Sequence, residues 1–170
     1  RRSEGNKPSI SGRVLAGSYG TLQEDVNASG NLGEKLKSFV HFTRQDSRGF
    51  SSAGSRYGNH EPDGFRNTSL MGRVEYTPIR RWTLDATTNY SRARIGLDNG
   101  GGFGQDDPNY TSINRVFTLS GGSKLKLMND KFEQITRLTF TDLDRTNRNN
   151  VDPDHPFDSE LSHYRGKLFT

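Results

Sequence analysis

Apolar and polar residues alternate with period two along most of this chain, and clusters of Gly, Asn, Asp or Pro bound each alternating stretch. Successive side chains of a β-strand point to opposite faces, so this pattern predicts strands. Nowhere is the 3.6-residue periodicity of a helix sustained. Eight strands are expected, approximately Ser9 to Gly17, Thr21 to Gly30, Leu36 to Gln45, Thr68 to Thr77, Trp82 to Arg94, Ile113 to Leu127, Phe132 to Asp144 and Leu161 to Thr170. Most are near or above the roughly 9 to 11 residues that a tilted strand needs to cross a hydrocarbon layer.

The fifth strand carries the pattern most clearly. Trp82, Leu84, Ala86, Thr88 and Tyr90 share one face, and Thr83, Asp85, Thr87, Asn89 and Ser91 share the other. The first set suits lipid, with Trp82 and Tyr90 placed where aromatic girdles sit at membrane interfaces. The fourth strand sets Leu70, Gly72, Val74 and Tyr76 against Met71, Arg73, Glu75 and Thr77; the sixth sets Phe117, Leu119, Leu125 and Leu127 against Thr118, Ser120, Lys124 and Lys126. A one-residue slip would turn charges onto the apolar face, so the register is well specified. Two strands mix their faces: the second places Glu24 among Leu22, Val26 and Ala28, and the seventh places Ile135 with Arg137 and Thr139.

The connections alternate in length. Short turns follow strands two, four and six, around Asn31 to Lys35, Pro78 to Arg81 and Met128 to Lys131; long polar loops follow strands three, five and seven, around Asp46 to Asn67, Ile95 to Ser112 and Arg145 to Glu160. Outer-membrane barrels have tight periplasmic turns and long external loops in this phase. A compact soluble domain seldom contains structureless links beyond about 12 to 15 residues. The first link, Ser18 to Gly20, is short where the phase predicts a long one. The fold class expected is all-β, an antiparallel up-and-down meander of about eight strands within a larger transmembrane β-barrel, with residues 1–170 a partial barrel domain. The phase places both Arg1 and Thr170 on the periplasmic side.

Composition supports this picture. The chain of 170 residues is 29% hydrophobic and 26% charged, with a mean hydropathy of -0.90. A soluble domain is normally about 45 to 50% apolar, so either disorder or a fold without a large core is implied. Regularly spaced aromatic and β-branched residues argue against disorder. In a transmembrane barrel only alternate residues face lipid, while the other face and the loops are polar. The net charge of +4 is dispersed, with no basic run longer than a pair, so a nucleic-acid partner is not expected. The absence of cysteine excludes disulfides and thiolate chemistry. No run of 18 apolar residues and no signal peptide precede the first strand, and an exported protein needs such a signal, so the chain is expected to be a mature or excised segment.

The stretch GRVLAGSYGTLQEDVNASGNLGEKLKSFVHFTRQDSRGF, Gly12 to Phe50, resembles the first barrel strands of TonB-dependent outer-membrane transporters, with GSYGT at Gly17 to Thr21 its most recognisable part. EPDGFRNTSLMGRVEYTPIRRWTLDATTNYSRARIG, Glu61 to Gly96, is similar to the next strand pair of that family, and the likeness is closest to the vitamin B12 and siderophore-receptor branch. The resemblance implies a barrel of about 22 strands around an N-terminal plug. It also implies partners: outer-membrane lipid, the TonB complex through a plug and box missing from this chain, and a small-molecule metal chelate or cobalamin. RRSEGNKPSIS is similar to the exit from such a plug into strand one.

No enzymatic constellation is present. The histidines, His41, His60, His155 and His163, form no metal-type pair at helical spacing, and neither GxSxG nor HExxH occurs. NGGGFG, Asn99 to Gly104, lacks the Lys-Ser/Thr ending of a phosphate cradle and reads as a flexible loop. Asp46, Glu61 and Asp63 fall around the first long loop, where hard oxygen ligands suit calcium, and some vitamin B12 transporters order their loops in this way. Ordinary solvated loop charges are the alternative. Tyr57, Phe65, Arg66, Phe103 and Tyr110 are expected to be loop residues able to grip a bulky ligand, or else to pack the loops together. Arg73, Glu75, Lys124, Lys126 and Arg137 are expected on the lumen face.

Energised uptake of a scarce, bulky nutrient at the bacterial outer membrane is the function this reading favours. A passive porin-like channel and a soluble or surface β-rich binding module stand as alternatives.

Overall fold

In the computed structural model the chain folds into one eight-stranded antiparallel sheet in strict sequence order. The strands are β1 (Ser9–Gly17), β2 (Thr21–Leu32), β3 (Leu36–Ser47), β4 (Phe65–Ile79), β5 (Trp82–Gly96), β6 (Thr111–Leu127), β7 (Phe132–Asn149) and β8 (Phe157–Phe169). The structure describes residues 7–51, 55–98, 107 and 109–149, and the backbone alone of 157–169. Among these residues there is no α-helix, only the 3-10 turns Ser18–Gly20 and Ser55–Tyr57, and so no helix long and apolar enough to cross a membrane. The expected all-β meander is therefore the observed fold.

Turn chemistry sets the short connections. Between β2 and β3 the chain turns at Gly33, whose φ of 71° glycine adopts without a Cβ penalty. Between β4 and β5 the register shifts between Tyr76 and Ile79, around Pro78, which has no N–H for the ladder and is tolerated at such irregularities. Met128, Asn129 and Asp130 all take positive φ between β6 and β7. The unexpectedly short first link is a single turn in which Tyr19 and Gly20 both lie in the left-handed region.

Cross-strand partners share a face, so the register assigns every strand residue to one of two sides. One side carries Ile10, Val26, Val40, Phe42, Leu70, Val74, Tyr76, Leu84, Tyr90, Phe117, Leu119, Leu138 and Phe140. Apart from Leu15 and Ile135, every exposed large hydrophobic residue within a strand belongs to this apolar face. The other face is dominated by Ser, Thr, Asn, Asp, Glu, Lys and Arg. Among the described residues no second layer covers either face; the largest fully buried side chains are Asn59 and Ser112, so there is no apolar core. β1 and β8 pair only with β2 and β7, which leaves the sheet open at both edges.

The structure corrects the expected boundaries at the long-loop end. β3, β4, β5, β6 and β7 all run further, and the connections shrink to residues 48–64, 97–110 and 150–156. Alternation of apolar with polar residues stops before the pairing does. Beyond that point, charged pairs such as Arg115 with Asp144, at 2.8 Å, and Asp46 with Arg66 bridge neighbouring strands. Asp46, Phe65 and Arg66 are consequently strand residues rather than loop residues. The mixed second and seventh strands resolve simply: Glu24 does lie on the apolar face, opposite Val14 and Arg44, and Ile135 does lie on the polar face, opposite Lys124.

Candidate functional site

The polar face is organised as rows of side chains running across the strands. Arg13 donates through Nε and Nη2 to Oδ2 of Asp25, at 3.0 and 2.8 Å, and Gln23 donates to the same carboxylate. Asp25 is 5% exposed, so a carboxylate in the sheet is sealed by its neighbours rather than by depth. His41 Nδ1 lies 2.8 Å from Oδ1 of Asn27, its direct partner on β2. Hydroxyl pairs, Thr118 with Thr141 and Ser120 with Thr139, tie β6 to β7.

One row concentrates charge. Lys37, Glu75, Asp85, Gly122 and Arg137 are successive cross-strand partners from β3 to β7. Two carboxylates, Glu75 and Asp85, therefore stand directly opposite each other, an arrangement that destabilises a sheet unless counter-charges flank it. Lys37 supplies one at 3.0 Å from Glu75, and Arg137 supplies the other, reaching Asp85 at 3.3 Å. Arg137 and Asp85 are two strands apart. The strand between them presents Gly122, where a Cβ would fall 2.5 Å from Oδ1 of Asp85. The glycine leaves the space across which the carboxylate meets the guanidinium. Arg73, Glu75, Lys124 and Arg137 thus stand on the expected face, all in ion pairs.

At the long-loop end the connections fold back on the sheet. Asp63 N–H donates to Phe50 O at 3.3 Å, and Gly96 N–H donates to Gly64 O at 2.8 Å. Gly49, at φ 71°, lies so close to this returning segment that a Cβ would sit 2.0 Å from Asp63 O. Tyr19 and Phe50 pack with ring centroids 5.2 Å apart. Ser51 donates to Asp98, Asn149 donates to Asp107, and the Asp107 carboxylate caps the Asn109 N–H. Asp107 is buried by these contacts, at 2% exposure. On the apolar-face side of this rim a cleft of about 390 Å³ opens, bordered by Gly20, Asp46, Arg48, Glu61, Arg66 and Arg94.

Of the residues expected to grip a ligand, Phe65 and Arg66 both border this cleft, from opposite faces of β4, while Tyr57 and Tyr110 do not line it. Phe65 lies on the polar face, opposite Ser47 and Ile95, whereas Arg66 lies on the apolar face, opposite Asp46 and Arg94. Tyr57 sits in its own 3-10 turn with the Arg56 guanidinium 4.6 Å above its ring. Tyr110 accepts from the Leu97 N–H and donates its own N–H to Asp107 O, closing the loop base. Phe103 lies outside the described residues. Of the expected calcium ligands, Asp46 accepts from Nε of Arg44 at 2.7 Å and also from Arg66. It stands beyond the last apolar residue of its strand face, Phe42, and the hydrogen bonds from Arg44 and then Arg66 hold its carboxyl below the usual carboxylate range. No group of three or more His, Cys, Asp or Glu residues among those described is placed to hold a metal. The cleft that Asp46 and Glu61 share with three arginines suits an anion better than a cation.

Compared with protein-family models, curated proteins and solved structures, the chain matches none. What sequence reasoning missed is the outer continuation of the apolar face. Arg44, Arg66, Arg92, Arg94 and Arg115 all occupy it. The signal was available: in β5, Arg92 and Arg94 continue the positions of Trp82, Leu84, Ala86, Thr88 and Tyr90 without a break in period.

Proposed function

We propose that this chain is part of an outer-membrane β-barrel, and that the barrel imports a bulky, scarce nutrient such as a siderophore-metal complex or a cobalamin, energised by the TonB complex. One observation carries the membrane reading: the apolar face is a band that ends directly in charge on β2, β3, β5, β6 and β7, and in Thr68 followed by Arg66 on β4. Val26, Phe42, Leu70, Tyr90 and Phe117 form one row, which meets Asp142 on β7, and the next row outward is Glu24, Arg44, Thr68, Arg92, Arg115 and Asp144. From Trp82 to Tyr90 the band measures about 27 Å along the strand, or about 19 to 22 Å after a tilt of 35 to 45°, close to the height of a barrel's lipid-facing belt.

The polar face supports a lumen. Its rows of paired charges and hydroxyls have few apolar interruptions, and water or a polar plug satisfies such a surface where lipid does not. Barrel closure requires strands that join the edges of β1 and β8. Transport and the choice of nutrient rest on the resemblance of Gly12 to Phe50 and Glu61 to Gly96 to TonB-dependent transporters.

The test is growth of bacteria that depend on the whole protein for a limiting chelate or cobalamin, with the inner-membrane energising complex intact or deleted. Uptake that collapses on deletion supports the proposal. Uptake that persists identifies a passive channel, and recovery of the protein from the soluble fraction removes the barrel altogether.

A further inference from the structure

We propose that the arginines beyond the apolar band on β4, β5 and β6, together with Arg48, bind the phosphate groups of lipid head groups in the leaflet around the barrel. This inference rests on the membrane reading above. Arg92 stands directly opposite Arg115, and Arg94 directly opposite Arg66. Like charges facing each other across a strand pair are destabilising. Arg115 is offset by Asp144, and Arg66 by Asp46. Among the described residues no acceptor is recorded for the exposed Arg92 and Arg94. Two guanidiniums are thus held against two others with too little negative charge between them, an arrangement an added anion stabilises.

Position selects the anion. Each row of the sheet is two residues, or about 6.7 Å along the strand. Arg92 lies one row beyond Tyr90 and Arg94 two rows beyond. With strands tilted as in a barrel, these rows rise about 5 and 10 Å above the edge of the hydrocarbon. Head groups occupy about that layer, since they thicken a core of about 30 Å to about 40 to 45 Å in all. The Arg94 row, with Arg66 and Asp46, borders the cleft, where Arg48 lies across Gly20 so closely that a Cβ there would meet its Nε at 2.6 Å. The guanidinium fork matches phosphate oxygens in a bidentate way, and the acyl chains of the same lipid continue down onto Tyr90, Phe117 and Leu119. A lipid with phosphates on its head group satisfies both parts of this surface at once; free phosphate satisfies only the upper part.

The experiment uses the whole protein reconstituted into bilayers of zwitterionic lipid doped with lipid A, with lipid A stripped of its phosphates, or with neither plus inorganic phosphate. Retention of the doped lipid on the purified protein is measured. About tenfold stronger retention of the phosphorylated lipid is expected, and the Arg92→Gln/Arg94→Gln variant abolishes that preference. Arg92→Lys/Arg94→Lys keeps the charge without the fork and is expected to fall between them. Lys35→Gln/Lys131→Gln, at the short-turn end, leaves the preference unchanged. Equal retention of both lipids by a protein that inserts normally, or a preference that survives the glutamine variant, overturns this inference while leaving the barrel standing. Inorganic phosphate that competes as well as the lipid overturns the lipid as its source. Failure to enter any of the bilayers overturns the barrel and this inference together.

Discussion

Tyr90 and Arg92 are two residues apart on one face of one strand, and the contrast between the regions they head is the most instructive in the molecule. Below Tyr90 the face is Thr88, Ala86, Leu84 and Trp82; above it are Arg92 and Arg94. Backbone geometry is the same in both regions, and so is the partner strand. Only the medium each suits differs. The upper limit of the apolar region follows one row from β2 to β6, through Val26, Phe42, Leu70, Tyr90 and Phe117, and drops one row to Phe140 on β7. A lipid layer sets such a common limit across successive strands, because each strand leaves the hydrocarbon there.

Moving one charge between the two regions is expected to have the largest effect. Val74 lies mid-band between Ser38 and Ala86, whereas Thr68 lies in the outer row between Arg44 and Arg92. Both sit on the same strand face. Val74→Arg is expected to destabilise the protein by about 2 to 4 kcal/mol in bilayers, and Thr68→Arg by about 1 kcal/mol or less. Urea unfolding of the whole protein from lipid vesicles measures both. On a water-exposed sheet both changes would fall within about 0.5 kcal/mol of zero, and that outcome would end the membrane reading.

Next in size is the anchoring of the outer region by its loop. Gly49→Ala places a side chain at positive φ and against the Asp63 carbonyl, so residues 48–51 and 61–64 must separate. The expected cost is about 1 to 2 kcal/mol, confined to the long-loop end. Limited proteolysis should then cut within 48–64 several times faster, while the unfolding midpoint of the band region barely moves. An equal loss of stability everywhere would mean that the two regions unfold as one unit.

The meander, the two faces and the alternating lengths of the connections were legible because each depends on local alternation and turn residues. Trp82, Asp85 and Tyr90 declare their faces from period alone. The strand ends were not legible, because beyond Tyr90 the contrast inverts, with Arg92 and Arg94 on the apolar-face positions and Ala93 and Ile95 on the other, although hydrogen bonding continues. Nor was the placing of Phe65 and Arg66 on opposite faces of one strand. Adjacent residues in a loop can converge on a ligand, but adjacent residues in a strand must diverge. The pairing of Asp46 with Arg66 depended on the register of β3 against β4, which no local pattern supplies.

The smallest expected effect concerns the polar face behind the band. Asp85 and Arg137 interact across Gly122, with side-chain exposures of 17% and 48%. An exposed partner keeps such a pair weak, so a double-mutant cycle of Asp85→Asn and Arg137→Gln should give a coupling of about 0.5 kcal/mol, falling with added salt. Gly122→Ala tests the geometry separately from the charges. Its new Cβ meets the Asp85 carboxylate and should remove most of that coupling, while costing less in the Arg137→Gln background than in the wild type. If the alanine costs the same in both backgrounds, the glycine serves the backbone alone. The pairing of Glu75 with Asp85 would then have to be tolerated through Lys37 and surrounding water rather than through a counter-charge two strands away.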